Sequence, residues 1–126
     1  IPVRTLFGVY GLARDLWIGR SRIVLNLHHQ EGIPIETVLL SYLLANGVPI
    51  VSESSDNLAN EVPPAWQEAV VWADAPQLAG ALQALLVDPP RRRVLAERGV
   101  QALARPEESQ VLRRVIAQMD ADGLFP

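Results

Sequence analysis

The amino-acid sequence predicts an α/β protein in which helices cover both faces of a parallel sheet. Residues 22–27 and 48–53 are short, mainly apolar and rich in β-branched side chains, as strands buried on both faces usually are. Residues 35–46, which separate them, have helical periodicity. Because parallel strands need a crossover connection, the order strand, helix, strand favours a parallel pair.

The remaining elements follow from the same two periodicities. We predict further strands at residues 3–7 and 69–72, further helices at about residues 12–19, 78–86, 91–104 and 107–121, and a polar loop at residues 54–68. Asp74 and Gln77 are spaced like a capping box that begins the helix over residues 78–86. Asp88 precedes two prolines and is expected to end that helix.

The helix over residues 35–46 is the best-defined element of the sequence. Its apolar stripe consists of Ile35, Val38, Leu39, Tyr42 and Leu43. Pro34 is expected in its first turn, where a missing N–H group is tolerated. Gly47 is expected to end the helix in the left-handed conformation. The stripe predicts that one face of this helix packs against the sheet.

Composition and charge exclude several classes of function. All 11 basic residues are arginines, the formal charge is -3, and cysteine is absent. These features exclude a lysine-containing phosphate loop, a disulfide and a thiolate metal site, and they do not favour nucleic acid as a partner. No apolar run reaches the roughly 18 residues of a spanning helix, so we expect a cytoplasmic protein without a membrane-spanning segment. Ile1 is not a start methionine, and we expect residues 1–126 to be a single domain from a longer protein.

Ligands of open parallel sheets bind beyond the carboxyl ends of the strands. Three predicted loops meet at that edge, at residues 8–12, 28–34 and 52–57. The candidate binding residues in or beside these loops are Tyr10, Asn26, His28, Glu31, Gly32, Glu36 and Ser52. No metal site is predicted, because the adjacent His28 and His29 point to opposite faces of a strand end.

The candidates also have structural interpretations that need no ligand. At the start of a helix, Glu36 gains about 0.3–1 kcal/mol from the helix dipole. Asn26 lies in an apolar strand and can pin the neighbouring loop with its obligatory hydrogen bonds. His28 can satisfy backbone groups of its loop, and Ser52 can cap a helix or lie in a solvated loop. Tyr10 can stack on a base or fill the core.

Two runs of the sequence resemble a known family. The run "IVLNLHHQEGIPIETVLLSYLLANGVPIVSE", residues 23–53, is followed by "AVVWADAPQLAGALQALLVDPPRRRVLAERG", residues 69–99. Together they resemble the C-terminal, nucleotide-sugar-binding half of GT-B glycosyltransferases, including its "GVPIV" strand and its "LLVDP" and "RxxLAxxG" signatures. The resemblance covers residues 22–104, which is most of the chain.

This resemblance implies a Rossmann-like, three-layer fold, here a partial C-terminal lobe of a two-lobe GT-B enzyme. It implies a nucleotide-sugar donor whose diphosphate lies against helix N-termini and whose ribose hydroxyls meet Glu36. The lobe that binds the unknown acceptor would precede Ile1, so this domain alone would not catalyse. We expect no metal and no cofactor besides the donor itself.

Two other functions stay open from the sequence. Where the family places the first of two acids, this chain has His28. That difference favours a non-catalytic nucleotide-binding or protein-interaction domain that kept the fold. A different Rossmann-like enzyme is disfavoured, because no G-x-G-x-x-G run follows a predicted strand.

Overall fold

The computed structural model of the protein describes residues 2–28, 34–104 and 108–122. Its elements in chain order are α1 (Gly11–Arg20), β1 (Val24–Asn26), α2 (Thr37–Ala45), β2 (Ile50–Glu53), α3 (Leu58–Glu61), α4 (Pro64–Gln67), β3 (Val71–Ala73), α5 (Leu78–Leu86), α6 (Pro89–Leu103) and α7 (Glu108–Ala121). A 3₁₀ turn over Ala75–Gln77 connects β3 to α5.

The described residues contain one parallel sheet in the order β1-β2-β3. Val24 pairs with Ile50, and Val51 pairs with Val71. The strands all run the same way, so their carboxyl ends, at Asn26, Glu53 and Ala73, lie along one edge. The predicted parallel α/β architecture is confirmed.

Alternating side chains of β2 enter two separate cores, as the period of a strand requires. Ile50 packs with Leu40, Leu43 and Leu44 of α2 on one face of the sheet. Val51 packs on the other face with residues that include Leu78 and Leu85 of α5 and Leu95 of α6. The sheet therefore lies between two helical layers, which confirms the three-layer fold.

The predicted strand at residues 3–7 is wrong. Residues 2–10 have no regular secondary structure, and Phe7 is 88% exposed. A strand needs a hydrogen-bonding neighbour for its backbone, and within the described part of the chain β1 pairs with β2 alone. Apolar composition without a pairing partner does not make a strand.

The predicted loop over residues 54–68 contains two single-turn helices, α3 and α4. Leu58, Val62 and Trp66 recur at intervals of four residues and pack on the same core as α2. Val62 is 2% exposed. Two polar residues and two prolines lie between these three positions and obscure the helical spacing in the sequence. The prediction of an irregular loop is wrong.

The start of the central helix also differs from the prediction. α2 begins at Thr37, and Pro34 and Ile35 precede it. Ile35 is buried, but its backbone N–H donates to the carboxylate of Glu61, which holds the segment ahead of the helix. Val38 is 84% exposed and is not part of the apolar face.

Several helix ends show how local chemistry sets the boundaries. Gly47 has a φ of 62°, its N–H donates to the Leu44 carbonyl, and the Val48 N–H donates to Leu43, which confirms the predicted left-handed cap. The Asp88 carboxylate accepts from the backbone N–H of Arg91 at 2.9 Å and so caps α6, which begins two residues before its predicted start.

The capping box predicted at Asp74 is not formed. The Asp74 side chain makes no cap bond. Its carbonyl accepts instead from the backbone N–H of Gln77 at 2.8 Å, within the 3₁₀ turn that precedes α5. The Gln77 N–H, which a capping box would direct to the Asp74 side chain, is thus bonded to the backbone.

Candidate functional site

Two candidate residues meet inside the sheet at its carboxyl edge. Asn26 is paired in register with Ser52, and its Nδ2 donates to the Ser52 Oγ at 3.2 Å. The Ser52 hydroxyl donates in turn to the carbonyl of Glu53 at 3.0 Å. Asn26 is 2% exposed and Ser52 is fully buried. The hydrogen bond between these side chains joins β1 to β2. Because Ser52 is buried, the interpretation of it as part of a solvated loop is wrong.

His28 lies just beyond the end of β1. Its backbone N–H donates to the Glu53 Oε2 at 2.9 Å, so the carboxylate that ends β2 anchors the chain that leaves β1. Both imidazole nitrogens are buried and have no hydrogen-bond partner among the described residues. Whether His28 binds a ligand stays a prediction.

A second carboxylate, that of Glu61, holds the segment before α2. Its Oε2 accepts from the backbone N–H of Ile35 and from the hydroxyl of Ser55, each at 3.1 Å. This residue was missed in the sequence, where it lies in the predicted loop. The helical spacing of Leu58 and Val62 was the one signal that could have indicated a structured position for it.

Glu36 is the N-cap residue of α2 and is exposed. Its carboxylate makes no cap bond, and its carbonyl accepts the first helical hydrogen bond, from Leu40, at 3.1 Å. The predicted placement at the start of the helix is therefore correct to within one position. The carboxylate stands beside the first turn, where the Thr37 N–H donates to the Ile35 carbonyl and the following amides create a positive end.

A surface groove of about 590 Å³ lies beside this helix start, and we call it the α1–α2 groove. Its walls are the segment from Ile35 to Leu39, which includes Glu36, and the side chains of Arg14 and Tyr42. The volume is in the range of small-molecule pockets. The groove brings a carboxylate, a guanidinium and a helix N-terminus together.

Arg14 is held in a cluster with Asp15 and Tyr42. Its Nε and Nη2 donate to the Asp15 Oδ1 at 3.2 and 3.1 Å, and its guanidinium carbon lies 4.4 Å from the centre of the Tyr42 ring. The Tyr42 hydroxyl donates to the same oxygen at 2.7 Å. This bond, together with those from Arg14, lowers the pKa of Asp15. The charged Asp15 carboxylate accepts these bonds and so stabilises the protonated forms of its two partners. The pKa values of Arg14 and Tyr42 are therefore raised.

The sequence predicts that Arg14 lies on a helix but indicates no role for it. Nothing in the local sequence "LARDL" distinguishes it from the other arginines of the chain. Its position beside Glu36 depends on how α1 lies against α2, which is a tertiary relationship. The sequence carried no signal for it.

The sequence model of a family described as glycosyl transferase-like matches residues 16–119. The match extends from the middle of α1 into the last turn of α7 and includes the whole sheet. This chain belongs to the glycosyl transferase-like family. Comparisons with curated proteins and with solved structures found no match. The resemblance to group 1-like glycosyltransferases is thereby confirmed, on a parallel α/β fold.

Three candidate residues of this glycosyl transferase-like domain remain to be considered, namely Tyr10, Glu31 and Gly32. Glu31 and Gly32 fall outside the described residues, and their predicted roles stay predictions. Tyr10 is the N-cap residue of α1 and is 80% exposed, so the interpretation that it fills the core is wrong. It does not line the α1–α2 groove.

The described residues contain neither a metal-binding cluster nor a helix that could span a membrane. Their acidic and histidine side chains form no cluster of three or more that could hold a metal ion. None of the helices described is both long enough and apolar enough to cross a membrane.

Proposed function

We propose that this glycosyl transferase-like domain is the donor-binding lobe of a GT-B glycosyltransferase and that the α1–α2 groove receives the nucleotide-sugar donor. The observation that carries the proposal is that Arg14 and Glu36 both line one groove at the start of α2. This helix follows the strand β1, so its N-terminus lies on the carboxyl side of the sheet, where ligands of such folds bind.

The chemistry of the groove supports a donor with two parts. The Arg14 guanidinium and the first-turn amides of α2 are suited to the diphosphate, since both present N–H donors to anionic oxygens. The Glu36 carboxylate accepts hydrogen bonds and is suited to ribose or sugar hydroxyls. Its negative charge would repel a phosphate, so it belongs beside the neutral part of the donor.

The proposed reaction transfers the sugar from the nucleoside diphosphate to an acceptor held by a second lobe. As the bond between the anomeric carbon and the phosphate oxygen breaks, that carbon bonds to a nucleophilic atom of the acceptor, which releases its proton to water, and negative charge grows on the leaving diphosphate. Arg14 and the α2 amides would stabilise that charge. A domain that binds the donor alone lacks an acceptor site, so we propose that catalysis needs both lobes.

A second candidate, a nucleotide-binding domain without catalysis, has one observation in its favour. Asp15 already neutralises much of the charge of Arg14, so the groove is not strongly positive. The two candidates differ in turnover. Both predict nucleotide-sugar binding, but only the transferase consumes the donor when acceptors are supplied.

The test measures nucleotide-sugar affinity by isothermal titration calorimetry on the protein that carries this domain. Glu36→Gln keeps the shape and removes the charge, and loss of a charged hydrogen bond should weaken the donor about tenfold or more. Unfolding stability should change by less than about 1 kcal/mol, the size of the dipole effect.

The matched control is Glu68→Gln. Glu68 is exposed and lies outside the groove, and the hydrogen bonds described for it involve its backbone N–H and carbonyl and not its carboxylate. This variant should bind the donor as the unaltered protein does. Equal affinity for Glu36→Gln and Glu68→Gln would refute the role given to Glu36.

A further inference from the structure

Arg14 is oriented by Asp15, its sequence neighbour on α1, and by Tyr42 of α2. Neighbours in an α-helix point in directions about 100° apart, so Arg14 and Asp15 do not ordinarily face each other. Here they pair, and the oxygen that they share also receives the Tyr42 hydroxyl from α2. The Tyr42 ring lies beneath the guanidinium at 4.4 Å. Contacts from two directions therefore define both the place and the plane of the guanidinium.

Stability alone does not account for this cluster. The side chains of Arg14 and Asp15 are 37% and 41% exposed, and ion pairs that are this accessible contribute little to folding because water screens them. A long side chain that is held without much gain in stability is typical of a group prepared for a ligand.

The hydrogen bonds leave donors available. A guanidinium has five N–H groups, and the bonds to Asp15 use one on Nε and one on Nη2. The other three, on Nη1 and Nη2, have no partner among the described residues, and Arg14 lines the groove. An arrangement with adjacent free N–H groups matches the oxygens of a phosphate.

We propose that Asp15 and Tyr42 are positioning residues, which orient the Arg14 guanidinium toward the diphosphate of the donor in the α1–α2 groove. This inference rests on the proposed function. Neither positioning residue needs to touch the donor. Their effect is to remove rotamer freedom from Arg14 before binding, so that less is lost when the diphosphate arrives.

The experiment is a double-mutant cycle on the affinity for uridine diphosphate and for guanosine diphosphate, measured by calorimetry on the protein that carries this domain. Tyr42→Phe keeps the ring under the guanidinium and removes only the hydroxyl. It should weaken the better-bound diphosphate about threefold to tenfold, the cost of ordering one long side chain. Arg14→Gln should weaken it by at least as much.

The combination Arg14→Gln with Tyr42→Phe gives the decisive value. If Tyr42 acts through Arg14, the double variant binds no worse than Arg14→Gln alone. Additive losses would overturn the inference. The affinity for the corresponding nucleoside, which has no phosphates, should be the same in Tyr42→Phe and in the unaltered protein. An equal loss for the nucleoside would indicate a structural defect and would also overturn it.

Asp15→Asn provides a second variant that removes the charge and keeps a carbonyl oxygen as acceptor. It should weaken the diphosphate and leave the nucleoside unchanged. Ser41→Ala, next to Tyr42 on α2, and Asp120→Asn on α7 are matched controls, because Ser41 bonds only to the local Val38 carbonyl and Asp120 is exposed outside the groove. Both controls should bind normally.

The outcomes separate the inference from the proposed function. If Arg14→Gln weakens the diphosphate while Tyr42→Phe and Asp15→Asn do not, the groove is the binding site and only the positioning role fails. If Arg14→Gln binds the diphosphate as the unaltered protein does, the use of this groove fails, and the inference fails with it.

Discussion

The hydroxyl of Tyr42 donates a 2.7 Å hydrogen bond to the Oδ1 of Asp15. The two residues are 27 positions apart in sequence, and their contact joins the helix before β1 to the helix after it. The same oxygen accepts two bonds from Arg14. One carboxylate thus sets the orientation of an arginine and the packing of a tyrosine at the edge of the α1–α2 groove.

This contact predicts an unusual titration for Tyr42. Its pKa is raised, mainly because the bond to Asp15 stabilises the neutral hydroxyl. The favourable contribution to stability is therefore complete below the ordinary tyrosine value of about 10 and is lost as the pH rises through the folded value. Carbon-13 NMR of the Tyr42 ring should give a midpoint above that of a free tyrosine.

Replacement of Asp15 by Ala should lower the Tyr42 midpoint toward the ordinary value. The Asp120→Ala variant, which removes an exposed acid from α7, should leave it unchanged. A midpoint that is the same with and without Asp15 would contradict the assigned cause.

Ser52→Ala should destabilise the sheet. The change removes the acceptor of the Asn26 amide, which then lies buried without its partner, at a cost of about 1–3 kcal/mol. Urea denaturation measures the difference. Ser41→Ala removes a hydroxyl from a more accessible helical position and should stay within about 0.5 kcal/mol of the original. Equal effects of the two changes would show that the buried bond contributes nothing.

Glu61→Ala should loosen the segment that leads into α2. Two hydrogen bonds to a partly buried carboxylate disappear, those from the Ile35 N–H and from the Ser55 hydroxyl. Bonds to charged groups contribute about 1.5–3 kcal/mol, and partial exposure places the expected loss near the lower limit. Amide hydrogen exchange at Ile35 should accelerate. Glu97→Ala, on the exposed surface of α6, should leave that exchange rate as it was.

Gly99→Ala tests the contact between α6 and α2. A Cβ atom at Gly99 would lie 3.0 Å from Leu44 Cδ2 and 3.3 Å from the Leu44 carbonyl oxygen. Because the backbone of α2 cannot yield as a side-chain end can, we expect a loss of about 1–3 kcal/mol in thermal unfolding.

The control for Gly99→Ala is Gly80→Ala. Gly80 lies inside α5, and a methyl group added there would have no atom within 4 Å, so alanine should raise stability by about 0.5–1 kcal/mol. A neutral or stabilising result at Gly99 would mean that the two helices are less closely packed than the structure has them.

The sequence by itself determined the elements whose signals are local. The strands that flank α2, the apolar positions Leu39 and Leu43 on it, and the left-handed cap at Gly47 follow from periods of two and 3.6 residues and from the conformational freedom of glycine. Those signals lie within a few residues of the feature they specify. The parallel pairing of β1 with β2 also follows, because a crossover helix separates them.

Tertiary structure decided the rest, because those features depend on which distant segments touch. Residues 3–7 have strand-like composition but no neighbouring strand within the described part of the chain, so composition could not decide their conformation. Glu61 reaches Ile35 across 26 positions, a distance that no local pattern spans. Glu36 could be placed at the start of a helix from its sequence alone. Only the packing of α1 on α2 puts Arg14 beside it in one groove.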